Sequence, residues 1–464
     1  MIGKPTHLVS AIAPSSRLRL TMMRQLWITT VVLGAVSIGS WTMYLKGVDS
    51  PNGLSVGIFL TMLCILTVNY LLTLSRDSRD WLPHAALLAI FTVVTPTYLE
   101  TDHYRYVWDG LHLNQGLNPF LFTPENHPDF AAISWAQLIN HQHLHSIYPP
   151  VAQIFFAISS WLNPYFWPFL FDPSQIQSVD GLSPFQLTLG WKVFIAITLL
   201  CCMYTLRSRG WSYIFLNPLI IMQFLMNAHL DGFLIPLLLL IFYGSSKMVY
   251  LRGFAFVSAI MLKVYPIILL PFLIIKEKGK WFPYLGVISL SGTLMFFSFY
   301  LSSQGNMLTS FFVFGKHWSF FGYIHQILVD LMRLAGYGNQ AIASAKLIGA
   351  FLGLTLFLTL VWQVHLKSIS IRLASLILVT GFWMLSPTLH PWYLIAILGL
   401  ALPYKKLFLT PVVWTCLSLA SITTYINNQD PIIIRYVCYT IITACLIKDI
   451  KVISKHIRRK KEIL

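Results

Sequence analysis

The sequence predicts an all-α, polytopic integral membrane protein, and three observations carry that prediction. Of its 464 residues 56% are hydrophobic and only 10% charged, with a mean hydropathy of +0.68. Soluble domains carry about 25% charged residues, so this chain is too poor in charge to cover a water-facing surface. The apolar residues recur in runs of about 17–25, the length a helix needs to cross a ~30 Å hydrocarbon core. The runs are continuously apolar rather than alternating, which excludes barrel strands. Lipid offers no partner to a free backbone amide, so the runs must be helices.

Taken in order, spanning helices are expected near 26–46, 54–75, 82–99, 188–206, 211–227, 231–246, 249–262, 264–275, 284–302, 341–365, 371–388, 391–403, 407–425 and 431–448. That gives a bundle of about 12–14 helices. The first run, Leu26 to Tyr44, follows Lys4, Arg17, Arg19 and Arg24, which is the pattern of a signal anchor with a basic flank rather than a cleavable signal peptide. Cys64, Cys201, Cys202, Cys416, Cys438 and Cys445 all fall inside apolar runs and have no metal-type spacing. They read as small buried hydrophobes.

Charge sets the orientation. Basic residues gather at every second connection: Arg76 and Arg79, Arg207 and Arg209, Lys247 and Arg252, Lys276 to Lys280, Lys367 and Arg372, Lys405 and Lys406, then the tail from Lys448. With the amino-terminal group these make 24 of the 32 lysines and arginines. Placing them in the cytoplasm satisfies the positive-inside rule and puts both termini there. The same rule accounts for the net charge of +16 without nucleic acid. The basic tail 449–464 is expected beside anionic membrane lipid. Parity then requires 148–163 to begin and end outside, as a juxtamembrane or re-entrant helix. The chain is expected to form one domain, 1–464, with an outer loop 100–187. Eleven of the 16 acidic residues fall outside: Asp49, Glu100, Asp102, Asp109, Glu125, Asp129, Asp172, Asp180, Asp231, Asp330 and Asp430. Chemistry belongs on that face.

The strongest local signal is the segment Glu100-Thr-Asp-His-Tyr-Arg-Tyr-Val-Trp-Asp-Gly110. On a helix Asp102, Arg105, Tyr106 and Asp109 share one face and Glu100 points elsewhere. If the segment is extended, Glu100 and Asp102 share a side. Interfacial anchoring explains the aromatics and the arginine, but not several carboxylates at the mouth of an apolar helix. A polar turn, Asn227-Ala-His-Leu-Asp231, adds His229 and Asp231. Lys263-Val-Tyr-Pro266 places a lone lysine and Tyr265 between two short apolar helices, where a phosphate is its natural partner. Weaker candidates are Tyr148 in a Tyr-Pro-Pro entry, His390 in Ser386-Pro-Thr-Leu-His-Pro-Trp-Tyr393, and Lys316-His-Trp318. The run His141, His143, His145 reads as a solvated loop. No phosphate-binding glycine loop is visible, so a cytoplasmic nucleotide-sugar domain is not expected.

In order and sidedness these motifs resemble the polytopic glycosyltransferases of the GT-C fold: D-x-Y-R-Y-x-W-D-G, Y-P-P, N-x-H-L-D, K-x-x-P and H-P-W-Y-L. The resemblance spans roughly residues 80–400. It is nearest the bacterial and archaeal α-mannosyltransferase-like group that uses polyprenyl-phosphate sugars. It implies a GT-C-type bundle with outer juxtamembrane helices, and transfer of a hexose, mannose by family, from a polyprenyl-phosphate donor to a glycan or lipid-linked acceptor with inversion. It also implies Asp102 as catalytic base with Glu100 completing an E-x-D pattern, and Arg105 and Lys263 on the donor phosphate. Tyr106, Asp109, Tyr148, His229, Asp231, Tyr265 and His390 would bind substrate. Asp102-His103 stands where some relatives have adjacent acids, which leaves the partner of Asp102 open. Metal dependence varies among such enzymes, so a divalent cation is an open expectation. A transporter or flippase of lipid-linked sugars is the alternative. It should show internal repeats and broken midplane helices, and the sequence displays neither.

The 24-to-8 division of basic charge is testable directly. A cysteine placed at Asn126 is expected to react with an impermeant thiol reagent on intact cells, and one placed at Ser78 to stay unlabelled. The reverse pattern would invert the topology.

Overall fold

A computed structural model describes residues 16–46, 53–74, 81–172, 174–175, 179–207, 210–427 and 432–463. Lys4, Asp49, Arg76, Arg79, Ser78, Arg209 and Asp430 lie outside the described residues, as do the side chains of Arg17, Arg19 and the tail beyond Lys455. In chain order the α-helices are α1 (Ser16–Lys46), α2 (Gly53–Leu74), α3 (Trp81–Val94), α4 (Asp102–Asn114), α5 (Pro150–Trp161), α6 (Trp167–Phe171) and α7 (Pro184–Leu206). They continue as α8 (Trp211–Phe215), α9 (Leu234–Tyr243), α10 (Val249–Leu262), α11 (Leu270–Lys276), α12 (Trp281–Tyr300), α13 (Thr309–His317) and α14 (Tyr323–Leu334). The last are α15 (Ala341–His365), α16 (Ile371–Leu385), α17 (Ile395–Ala401), α18 (Thr410–Leu417), α19 (Ile422–Asn427) and α20 (Ile432–Ile463). Among the described residues there is no β-strand, only isolated bridges from Phe320 and Phe321 to Thr388. This is an all-α multi-pass membrane protein.

Among the described residues five helices are long and apolar enough to cross a bilayer: those at Met23–Leu45, Ser55–Leu74, Pro184–Leu206, Trp281–Tyr300 and Gly338–His365. The expected span 431–448 lies, but for its first residue, within the longer α20, and 249–262 is met as α10. Several of the others are shorter or interrupted, often at a proline. Pro96 ends the third helix at Val94, five residues before the expected boundary, because a proline ring excludes the preceding residue from helical geometry. Pro266 and Pro391 each open a 3₁₀ turn that runs into α11 and α17. The expected helix 211–227 is broken at Asn217-Pro218, where Asn217 Oδ1 accepts the Leu219 N–H at 2.9 Å. It resumes as a π-helix, Ile220–Met226. The chain then turns through about a right angle: the π-helix and the Leu230–Tyr243 stretch are bent by 100°. This bend falls in the polar turn that the sequence places between the expected helices 211–227 and 231–246. α5 has 12 residues, about 18 Å of helix, too short to span.

The turn at 227–229 is held from several sides. Ala228 has φ of +61°, a left-handed conformation that costs an alanine about 1 kcal/mol or more. It persists because its carbonyl accepts the Trp191 indole N–H at 2.5 Å and the His229 N–H reaches Gln223 O at 2.8 Å. The fully buried Lys192 donates to Thr95 O at 2.7 Å and to the Met226 carbonyl. Thr97 Oγ1 also donates to Met226 O, at 3.1 Å. One ammonium on α7 thus ties the segment after α3 to the carbonyl end of the π-helix, where the last backbone acceptors lack helical partners.

The 100–187 region builds a small core of its own from Tyr104, Val107, Trp108, Leu111, Trp135, Phe166 and Phe169. Within it α4 lies against α5 with no space for a side chain at Gly110: a Cβ there would collide with the Phe156 carbonyl and Ser160 Oγ. Gly110→Ala is therefore expected to force the two helices apart and to destabilise the protein by more than the 1–3 kcal/mol of ordinary overpacking. Thermal unfolding of the detergent-solubilised variant, compared with Gly116→Ala in open space at φ +78°, checks this. A larger loss at Gly116 would contradict the close approach.

Candidate functional site

The segment Thr95–Leu99 delivers Glu100 to His229, and α4 starts two residues later with Asp102 in its first turn. Glu100 Oε2 lies 2.7 Å from His229 Nε2. The other ring nitrogen, Nδ1, faces Asp102 Oδ2 at 4.0 Å and the Tyr106 hydroxyl at 3.5 Å. Asp102 accepts from Asn140 Nδ2 at 2.7 Å and from the Tyr148 hydroxyl at 3.2 Å. Beyond it, Lys263 Nζ lies 3.3 Å from Asp231 Oδ2, with the Tyr393 ring centroid 5.0 Å away. Neither of the two alternatives for Glu100 describes this arrangement fully. The segment is irregular up to Thr101 and helical from Asp102, so the two carboxylates meet one imidazole from different sides.

The elements that position these groups are distant in sequence. His229 is stacked on Trp392, centroids 3.9 Å apart and planes 12° from parallel. Trp392 stacks in turn on His390 at 4.5 Å, and His390 on Phe320 at 4.6 Å. Four rings from three chain segments form one column. Phe320 is held there by backbone bonds to Pro387 O at 3.0 Å and from Leu389 N at 2.7 Å. Tyr265 is placed beside Trp383, with its hydroxyl buried and no hydrogen-bond partner.

Exposure separates the carboxylates. The side chain of Asp231 is fully buried and that of Glu100 is 7% exposed, whereas Asp102 keeps 22%. Burial raises the pKa of Glu100, opposed by His229 and reinforced by Asp102 and Asp231. Burial acts in the same direction on Asp102, yet His229, the Asn140 hydrogen bond, His390 and Lys263 together hold its carboxyl below the usual carboxylate range. Asp102 is thus an ionised carboxylate with an open side.

Two expected phosphate ligands are already engaged. Arg105 Nε donates to Asp109 Oδ1 at 2.8 Å and Nη1 to Leu144 O at 3.0 Å, with both side chains buried. Asp109 Oδ2 also accepts from Ser146 at 2.6 Å and Gln153 at 3.1 Å. Arg105 and Asp109 therefore brace the loop 144–153 onto α4, and the structure does not bring them to Asp102. Lys263, for which the sequence offers no local acid, has Asp231 as its partner across the bundle. Lys192 was missed at the sequence level, although a lone lysine inside an apolar run is a signal in itself. His141, His143 and His145 do not bring donor atoms together: His141 packs on Trp318, centroids 4.7 Å apart, and His145 O accepts from Ser310.

The donor atoms of Glu100, Asp102 and His229 lie within 4.8 Å of one another, and two carboxylates with one imidazole suit a divalent ion. The spacing does not. Ligands about 2.0–2.2 Å from a tetrahedral ion stand roughly 3.3–3.5 Å apart, and Glu100 and His229 are well inside that, at 2.7 Å. A hydrogen bond joins them, and no step below passes through a metal. Comparison with family models, with curated proteins and with solved structures finds no match. The fold defines a multi-pass membrane protein of helices, and the site is read from its own geometry.

Breaking a buried ion pair by removing one partner typically costs 3–5 kcal/mol. Asp109→Ala is expected to lower stability by about that much, through the stranded Arg105. Asp172→Ala, at an exposed position, should change it by less than about 0.5 kcal/mol. Denaturation of both variants in the same detergent measures the difference.

Proposed function

We propose that this protein is an inverting glycosyltransferase that moves a hexose from a polyprenyl-phosphate donor to a hydroxyl of a glycan or lipid-linked acceptor on the non-cytoplasmic face. The observation that carries the reading is Asp102. It is the exposed member of a buried carboxylate–imidazole cluster, held ionised and oriented by Asn140, Tyr148 and His229. A general base needs an ionised form, a fixed direction and access to the proton it removes, and Asp102 has all three.

In this mechanism the donor's lipid lies in the bilayer and its head group reaches Asp102. The carboxylate takes the proton from the acceptor hydroxyl as that oxygen bonds to the anomeric carbon. The bond from that carbon to the phosphate oxygen breaks, and polyprenyl phosphate leaves with the electron pair. The attack comes from the face opposite the phosphate, so configuration inverts. Lys263, 18% exposed beside Asp231, is the cation available to the departing phosphate in a partly dehydrated site. Glu100 and His229 stay behind Asp102 and hold its direction. Mannose as the sugar rests on the family resemblance alone.

One observation favours the transporter reading. The 100° break between Ile220–Met226 and Leu230–Tyr243 is a discontinuous helix of the kind found around transported substrates, so the sequence argument that no such break exists no longer holds. The two readings part on chemistry, because a flippase returns its lipid-linked sugar intact.

Purified protein in nanodiscs, given synthetic polyprenyl-phosphate hexoses and an acceptor, is expected to consume donor and glycosylate the acceptor. Asp102→Asn keeps size and most hydrogen bonding but cannot take the proton. Turnover should fall by roughly 10²–10⁴-fold, with donor binding retained and Asp172→Asn unaffected. Near-parental turnover in Asp102→Asn would remove the base. Donor translocation without consumption would establish the second reading instead.

A further inference from the structure

A second cluster of donor atoms sits at the far end of α4, away from Asp102. His112 is 3% exposed, and its Nδ1 lies 2.8 Å from the Trp108 carbonyl. A carbonyl only accepts, so the proton of the neutral ring is on Nδ1 and Nε2 carries a bare lone pair. That Nε2 is buried without a hydrogen-bond partner and points at Asp129 Oδ2, 3.7 Å away. His127 turns its Nδ1 to the same oxygen, also at 3.7 Å. This nitrogen accepts the Asp129 backbone N–H at 3.2 Å, so it is unprotonated and its one lone pair is held by that amide. The rings of His112 and His127 meet at 4.3 Å, nearly edge to face.

Three ligand-type atoms thus converge, all within 4.8 Å of one another, and the buried Nε2 of His112 has no hydrogen to accept. A buried acceptor without a donor is costly. One proton could bridge only one pair, whereas a cation serves all three. Ligands about 2.0–2.2 Å from a tetrahedral ion stand roughly 3.3–3.5 Å apart. The two 3.7 Å separations are within a few tenths of an ångström of that. Unlike Glu100 and His229, no pair here is already in direct hydrogen-bond contact.

We propose that His112, His127 and Asp129 form a binding site for a divalent transition-metal ion, zinc or a close substitute. Two imidazoles and one carboxylate favour such an ion over magnesium or calcium, which take oxygen ligands. His112 has the outer-sphere support expected of a metal-bound imidazole, its Nδ1–H donating to a backbone carbonyl. Asp129, one-third exposed, leaves a side open for loading and for a water as fourth ligand. On binding, the capping bond from the Asp129 N–H to His127 is exchanged for the coordinate bond.

The role is a clasp. His112 ends α4, while His127 and Asp129 open the 3₁₀ turn Pro128–Ala132. The ion would fasten the 115–138 stretch to the helix whose first residue is Asp102. Trp108 packs against both histidines, centroids 4.3 and 5.5 Å away, and shields the site from one side.

The test uses the full-length protein in detergent, stripped with EDTA, dialysed, and titrated with CoCl₂ and then ZnCl₂. One equivalent of Co²⁺ per chain is expected to give the visible absorption of a low-coordinate site, and Zn²⁺ to displace it. One Zn²⁺ should remain after gel filtration, by elemental analysis. His127→Gln and Asp129→Asn, both less buried than His112, should each weaken Zn²⁺ by more than the about 10–100-fold that loss of an outer-sphere partner costs. Glu100→Gln and Asp102→Asn should bind as the parent does. This readout does not depend on transferase activity, so it stands whatever becomes of that assignment. Absence of stoichiometric binding by the parent overturns the site. So does loss in Glu100→Gln with retention in Asp129→Asn, which would put the ion at the other cluster. Equal loss in both sets also overturns it, since binding would then follow the fold of the loop rather than these donors.

Discussion

A carboxylate taken out of water is tolerated only beside a group that answers its charge, and Glu100, Asp102 and Asp231 share one site. His229 stands between the first two and Lys263 beside the third. Much of the irregular backbone serves to bring these five side chains together. The segment after α3 delivers Glu100. The left-handed Ala228 aims His229 at it. The 3₁₀ turn at Pro391 presents Trp392 as a platform for the imidazole. Regular spanning helices could not do this, because their backbone bonds are closed on themselves and their side chains diverge from the axis. Backbone that departs from the helix inside a membrane protein is stable only where other groups satisfy it. Lys192 and Trp191 on α7 supply that satisfaction for the π-helix end and the turn that follows.

The division between bracing and chemistry follows from exposure. Arg105 and Asp109 have the residue types of an active site, but both are sealed and mutually paired, with Ser146 and Gln153 completing the shell. Asp102, one helical turn earlier, keeps an open side. A helix can present both on successive turns because neighbours at i, i+3 and i+4 face related but not identical directions. The α4 helix therefore anchors the following loop with one stripe and serves the reactive cluster with another.

The membrane class and the stretches that carry charge were legible in the sequence, because both follow from composition along the chain. Long uninterrupted runs such as 341–365 became single helices with the expected bounds. Some runs holding proline were misjudged. Pro96 shortened the third helix and Pro218 broke the run 211–227, whereas Pro266 and Pro391 sit in the first turns of helices whose expected bounds, 264–275 and 391–403, were nearly met. Glu100, Asp102, Tyr106, Tyr148, His229, Asp231, Lys263 and His390 were all candidates, and the structure gathers them in one region. Arg105, expected on the donor phosphate, is paired with Asp109. Helical spacing tells which residues share a face but not what lies across from it, and Gln153 and Ser146 arrive from a loop whose path no local pattern encodes. His112, His127 and Asp129 went unnoticed as a group for the same reason, since the chain leaves the helix between the two rings.

The column of rings also bears on how the protein is made. Glu100 and His229 are 129 positions apart, and the tryptophan supporting that imidazole is synthesised far later still. Such long sequence separations are closed slowly, after the entropy of a large loop has been spent. A nascent chain that has threaded its first three helices already displays two acids with nothing to answer them. They can remain hydrated only while that end of the assembly stays open to water. Sealing of the apolar bundle around them therefore has to wait for the segment carrying Pro391 and Trp392, which makes late helices the gatekeepers of maturation for a cluster whose first members emerge early.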